Sequence, residues 1–185
     1  HGLLDDETLL LEYALGEDRS FLWAVSLDKY TIHELPPRAE IERATEAVYD
    51  LVTARARVGG ESLEERSRRI ARADAQYWET ASRLSETLLG PVAEAISGKR
   101  ILVVADGALQ YLPFAALPIP GREESVPLIV EHEIVNLPSA SSLAVLRKHT
   151  RGRKHAPGSV AVFADPVFGA DDARLDRRPQ RSVPI

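Results

Sequence analysis

The stretch ILVVADGALQYLPFAAL, residues 101–117, decides how the rest of the chain is read. From Ile101 to Ala105 five apolar residues run without polar alternation, the pattern of a strand buried on both faces of an α/β sheet. The run breaks at Asp106-Gly107, where aspartate can cap its own turn and glycine can adopt a positive φ. Leu112, Phe114 and Leu117 then fold back as core. A strand of this kind raises two questions: what it presents at its end, and whether the chain carries chemistry to use there.

Upstream, Gly90-Pro91 begins a short helix that stops near Gly98. Before it stand two longer helical patterns. Ile41, Ala44, Val48, Leu51 and Val52 recur at steps of three and four after Pro36-Pro37, predicting a helix to about Val58, where Gly59-Gly60 ends it. Ser62 and Glu65 have the spacing of a capping box, in which each side chain satisfies an orphan backbone donor. From there Leu63, Ile70, Ala73, Tyr77, Ala81, Leu84 and Leu88 give a second, long helix one apolar face, and the two helices form an antiparallel hairpin. Arg66, Arg68, Arg69, Arg72, Glu79, Arg83 and Glu86 mix both signs on the remaining faces, as a solvated surface does. The first 35 residues alternate as three short strands, TLLLEYAL, SFLWAVSL and YTIHEL, separated by Gly16-Glu17-Asp18 and Asp28-Lys29: an antiparallel meander. The first of the three is also compatible with a helix. In the second, Phe21, Trp23 and Val25 share one face, Leu22 and Ala24 the other, and both faces read as covered.

Downstream of residue 117, Leu128 to Val130 and Glu133 to Leu137 are candidate strands on either side of His132. Pro138 and Ser139 to Ser142 set up a helix from about Ala140 to His149, with serine hydroxyls placed to cap its first amides. Val160 to Ala164 is one more short buried strand before Asp165-Pro166. The segment after Gly169 has little apolar periodicity and reads as an exposed tail.

Composition narrows the function classes. The 185 residues are 44% hydrophobic and 28% charged, enough length and apolar content for one good-sized core. No segment approaches the roughly 20 uninterrupted apolar residues of a membrane helix, and no signal peptide is evident, so a cytoplasmic location is the default expectation. There is no Cys, hence no disulfide framework, thiolate metal site or cysteine nucleophile in this sequence. The net charge of −5 argues against a general nucleic-acid binder. It is unevenly spread: residues 147–185 hold nine Lys/Arg against four Asp/Glu, and the basic stretches Arg147-Lys148 and Arg151-Gly-Arg-Lys154 suit a solvated loop or an acidic partner.

Three chemistries can be tested against the residues. A buried strand entering a glycine turn is how nucleotide folds begin, but Asp106-Gly107-Ala108 supplies one glycine where the dinucleotide fingerprint wants three, and no Gly-Lys-Ser/Thr follows. For metal binding, Glu131 and Glu133 would lie on one face of a strand with His132 on the other, so the three do not converge on one ion. A Ser-His-Asp site can be written from Ser139, Ser141 or Ser142 with His132 and Asp106 or Asp165, although no Gly-x-Ser-x-Gly elbow is present and these serines sit where helix caps belong. The residues alone therefore assign no catalytic, cofactor-binding or metal-binding position.

Taken together, ILVVADGALQYLPFAALPIP, PLIVEHEIVNLPSASSLAVLRK and VAVFADPVF resemble, in order and spacing, the first half of a CHAT domain, the caspase-like domain associated with tetratricopeptide repeats. The upstream segment DDETLLLEYALGEDRSFLWAVSLDKYTIHELP is similar to the lead-in of such domains, so the resemblance spans residues 3 to 168. It implies an α/β fold in which an N-terminal β-meander and a long helical hairpin, residues 1–98, lead into the first strands of a caspase/haemoglobinase-like sheet, residues 99–168, with 169–185 as tail or linker. It also implies a cysteine peptidase acting through a His-Cys dyad, in which the imidazole lowers the thiol pKa and returns the proton to the leaving amine. In the family that dyad lies further along the chain, and none of His1, His33, His132, His149 or His155 stands in a matching context. The expectation is a non-catalytic N-terminal portion of a cysteine endopeptidase that needs no cofactor. Its partners would be the C-terminal half of the same domain, tetratricopeptide repeats or a regulatory protein. The alternatives are a stand-alone interaction or scaffold module of the same fold and, more weakly, a serine hydrolase built on Ser139 to Ser142.

Overall fold

The computed structural model describes residues 4–150 other than 57 and 123. The expected strand at Val160 to Ala164, the tail, and Asp165, His1 and His155 lie outside the described residues. The protein is mixed α/β. Three N-terminal strands, β1 (Thr8–Ala14), β2 (Ser20–Val25) and β3 (Tyr30–Leu35), form the meander. Helices α1 (Arg38–Thr53) and α2 (Leu63–Leu89) follow, and a 3-10 turn at Gly90–Val92 leads into the short α3 (Ala93–Ile96). Then come β4 (Arg100–Val104), β5 (Ile134–Leu137) and α4 (Ala140–Thr150). Among the described residues no helix is long and apolar enough to cross a membrane.

All five strands belong to one sheet in the order β3-β2-β1-β4-β5. The meander pairs antiparallel within itself, whereas β1 pairs parallel with β4, and β4 parallel with β5. Residues about 90 apart in sequence thus lie side by side, Leu9 opposite Ile101 and Leu11 opposite Val103. Pleating sorts the side chains onto two faces. Leu9, Leu11 and Tyr13 of β1, Leu22 and Ala24 of β2, and Ile101 and Val103 of β4 join Ile41, Val48, Leu84, Leu88, Leu109, Phe114 and Leu117 in a core of 22 buried residues beneath α1 and α2. On the other face, among the described residues, Leu10, Leu102 and Val104 form a small buried apolar cluster beside the buried Thr8, with Ala140 and Leu143 of α4 packed against the cluster. β4, buried on both faces, fits its uninterrupted apolar run, and β1 beside it is buried on both faces from Thr8 to Leu11; β2, buried on one face, fits its alternation. The second face of β2 is correspondingly less covered than the sequence suggests, with Phe21, Trp23 and Val25 half-buried.

Three local details differ from the sequence reading. Leu128 to Val130 is a 3-10 turn, not a strand: Pro127 precedes it, Leu128 is buried with its amide on the Leu117 carbonyl at 2.8 Å, and Ile129 and Val130 face outward. Leu63 is 85% exposed, one turn too early to reach the core. Helix α1 stops at Thr53 rather than Val58. There Arg69 of α2 donates to the Ala54 carbonyl and, at 3.2 Å, to the Ala56 carbonyl, while Arg66 donates to the Arg55 carbonyl at 3.2 Å. These guanidinium groups satisfy the C-cap carbonyl of α1 and the two that follow it, so two members of the mixed-charge surface serve as caps. The capping box at Ser62 and Glu65 forms as expected.

Candidate functional site

In open sheets with parallel strands, ligands meet the protein at the carboxyl ends of those strands. Here that edge is built by the turns after β4 and β5. Between them lies a cavity of about 280 Å³ lined by Val103, Ala105, Leu109, Gln110, Asn136, Leu137 and Pro138. Its walls are mostly apolar, and the amides of Gln110 and Asn136, both exposed, are the groups able to donate and accept hydrogen bonds to a peptide-like ligand.

The Asp106-Gly107 turn, expected to cap itself, does so and also ties three elements together. One carboxylate oxygen of Asp106 accepts from the Gly107 amide at 2.8 Å. The other accepts from the Leu15 amide at the end of β1 at 2.9 Å and lies 3.4 Å from the Arg38 guanidinium. Arg38, the first residue of α1, also donates to the Leu15 carbonyl and pairs with Glu42 at 3.3 Å. Gly107 has φ 54°, and a Cβ there would come within 2.8 Å of Glu42 Oε1, 3.0 Å of Arg38 Nη1 and 3.2 Å of Leu15 Cδ1. The space a phosphate would need beside this glycine is filled by a carboxylate and its partner. A nucleotide reading of the turn fails on charge as well as on glycine count.

The paper triad does not assemble. His132 is buried just before β5, its Nδ1 3.0 Å from the Lys99 carbonyl oxygen. Ser139 follows β5, at the opposite end of a four-residue strand about 13 Å long. There its hydroxyl accepts from the Ser142 amide at 3.2 Å and lies 3.0 Å from the Ser142 hydroxyl, capping α4. Asp106 is on the same edge as Ser139 but is committed to Leu15, Gly107 and Arg38.

The acidic stretch around His132 is dispersed too. It is not strand but the turn entering β5. Glu131 makes a two-point pair with Arg122 at 2.5 and 2.6 Å, and Glu133 pairs with Arg100 at 2.7 Å. Among the described residues no three His, Cys, Asp or Glu side chains are grouped to hold a metal ion. His33 bonds Thr31 at 2.9 Å on the exposed edge strand, and His149 is exposed in the last turn of α4.

Sequence reasoning missed Arg38, whose role depends on a carboxylate 68 residues away, and Gln110 and Asn136, which share a cavity only because β4 and β5 are neighbours. No local signal marks any of them. Two buried hydroxyls that fix the core next to this edge were equally silent. Tyr13 donates to the Leu88 carbonyl at 3.1 Å and Ser85 to the Pro118 carbonyl at 2.5 Å, and burial pushes the Tyr13 phenol far above its ordinary value.

The family model of the CHAT domain matches residues 78–182. Its described part runs from the middle of α2 through β4, β5 and α4, and so contains the candidate edge and its cavity; the meander and α1 precede it. No curated protein matches the chain.

Proposed function

The chain belongs to the CHAT-domain family, and on that premise we propose that it is the N-terminal, non-catalytic part of a caspase-like domain whose complete form is a cysteine endopeptidase. In this reading β4 and β5 open a sheet that continues into strands carrying the His-Cys dyad. Their carboxyl ends would align with the edge where Gln110 and Asn136 stand, so that this chain supplies a wall of the peptide-binding cleft and the other part supplies the thiolate. The observation that carries the reading is the family match over an intact parallel β4-β5 pair in a sequence without any Cys. Tetratricopeptide repeats or a regulatory protein are the partners proposed to control the complete domain, in the cytoplasm.

A thiol-directed electrophile tests this. A form extended C-terminally through the dyad is expected to be labelled at one cysteine and to cleave peptides, whereas the 185-residue chain does neither. An extended form whose cysteine reacts no faster than free thiol and which leaves a peptide library uncut contradicts the proposal.

A second reading, an interaction module of the same fold without peptidase activity, is favoured by the thin covering of the second sheet face, where Tyr30 and Ile32 are 68% and 53% exposed. It expects the extended form to bind a protein partner while remaining inert to the electrophile.

A further inference from the structure

The second face of the sheet is covered by half. Its central row reads, across the strands, Ile32, Trp23, Glu12, Val104 and Leu137; the row beside it reads Tyr30, Val25, Leu10, Leu102 and Val135. Helix α4 packs Ala140 and Leu143 onto the β4-β5 end of these rows, where Leu102 and Val104 are buried. Among the described residues the β2-β3 end has no such cover: Phe21, Trp23 and Val25 are half-buried, and Tyr30 and Ile32 are exposed. A cavity of about 320 Å³ lined by Leu4, Leu10, Val25, Leu27, Tyr30 and Leu143 separates α4 from the uncovered half.

Two further features point to what fits there. Glu12 sits midway along the central row, half-buried between Trp23 and Val104, and among the described residues its carboxylate has neither ion pair nor hydrogen bond. Glu34, on the same face beside Phe21, has among the described residues only a long pair with Arg19 at 3.5 Å. Helix α4, for its part, is apolar on its outer side as well as its inner one. Val145, opposite Leu143, and Leu146, on the flank beside it, are 55% and 56% exposed; the last turn is basic, with Lys148 and His149 exposed and Arg147 lying 3.8 Å from Asp5. Exposed apolar residues on α4 beside an open apolar half-face form one contiguous candidate contact surface.

We infer that this face is an interface between two copies of the chain, in which α4 of each copy lies between its own β4-β5 half-face and the β2-β3 half-face of the other. The surface is its own complement. It carries an open apolar half with carboxylates set in it, and a helix with an apolar outer stripe ending in cations, so a two-fold axis between them satisfies both at once. Val145 and Leu146 meet Ile32 and Trp23, and Lys148 approaches Glu12 and Glu34. Two strands at their usual spacing make the open half roughly 10 Å wide, and an 11-residue helix is roughly 16 Å long. Such a footprint lies at the low end of specific interfaces and corresponds to a weak, reversible dimer. The inference stands apart from the peptidase reading, since it concerns the face opposite α1 and α2 and requires no dyad.

Sedimentation velocity of the full 185-residue chain over a concentration series tests it. A monomer–dimer equilibrium in the micromolar range is expected, weakened by salt. Ile32→Glu and Lys148→Glu should each raise the dissociation constant roughly tenfold or more, and adding Glu34→Lys to Lys148→Glu should recover part of the loss. Leu63→Glu, on exposed α2 far from this face, should change nothing. Circular dichroism melting establishes that each variant is folded, and Tyr30→Lys replaces any that is not. A chain that stays monomeric up to several hundred micromolar overturns the inference, as does a dimer indifferent to Ile32→Glu and Lys148→Glu.

Discussion

At the scale of single residues, the strongest local demand is at Gly107. Its φ of 54° is in the left-handed region, and the place of a Cβ is already taken by Glu42, Arg38 and Leu15. Gly107→Ala is expected to cost about 2 kcal/mol or more, from backbone strain and the displaced ion pair together, read as a lower urea midpoint with unchanged slope. Asp106→Ala leaves the Leu15 amide without its acceptor and Arg38 without one of its partners, and should cost about 1–3 kcal/mol in the same assay. If Asp106→Ala is neutral, the turn is not the tie between β1, α1 and β4 described above. The Asp-Gly pair was readable as a turn from sequence, because both residues favour that backbone. That its carboxylate also holds the end of β1 was not readable, because the bond depends on a parallel pairing of strands 92 positions apart.

At the scale of elements, helix α2 shows how much a few side chains at one end can set. Ser62 and Glu65 close the capping box, and Arg69 both pairs with Glu61 at 2.5 Å and caps α1. Ser62→Ala should lower stability by about 1 kcal/mol, measured by thermal or urea unfolding. The bond from Arg69 holds the Glu61 carboxyl below its ordinary value of 4.5, and the bonds from Ser62 do the same for Glu65. Groups whose folded pKa is depressed stabilise the native state above the unfolded pKa and lose that contribution as pH falls through the folded one. Unfolding followed from pH 7 downward should therefore show stability declining as the pH passes below about 4.5, with a shallower decline in Glu61→Gln. The capping box was legible because it is a spacing of three residues within one element. The early end of α1 was not: the apolar periodicity continues toward Val58, while the carbonyls that follow Thr53 are held by arginines arriving from α2. Leu128 to Val130 shows the reverse failure, an apolar run with strand composition whose preceding proline and single buried residue make it a 3-10 turn.

At the scale of the whole molecule, the two faces of the sheet are unequal, and energetics follows that inequality. The face beneath α1 and α2 holds the large core, in which the rings of Phe114 and Tyr13 pack at a 37° tilt, 5.6 Å between centroids. Phe114→Ala is expected to cost about 3–5 kcal/mol, whereas Ile32→Ala on the open face should change the stability of the monomer by less than about 1 kcal/mol. Comparable losses from the two would mean that the second face is packed as tightly as the first. The α/β class was legible in the contrast between the alternating β2 and the uninterrupted β4, which is the contrast between a strand covered on one face and a strand covered on both. That β4 pairs with β1, the first strand of the meander, was beyond local pattern, since strand order is decided by non-local pairing. The candidate edge inherits this limit: its turn was visible, but the cavity formed by Gln110 with Asn136 exists only once β4 and β5 are adjacent.

The most direct test of the central claim, that this chain supplies one wall of a peptidase whose nucleophile lies in another part, is complementation. The 185-residue chain and a separately expressed polypeptide carrying the dyad strands are assayed for peptide cleavage alone and mixed. The account predicts no cleavage by either alone and cleavage in the mixture, abolished when the thiol is alkylated. Cleavage by this chain alone, or a stable mixed complex that binds but never cleaves, would contradict it.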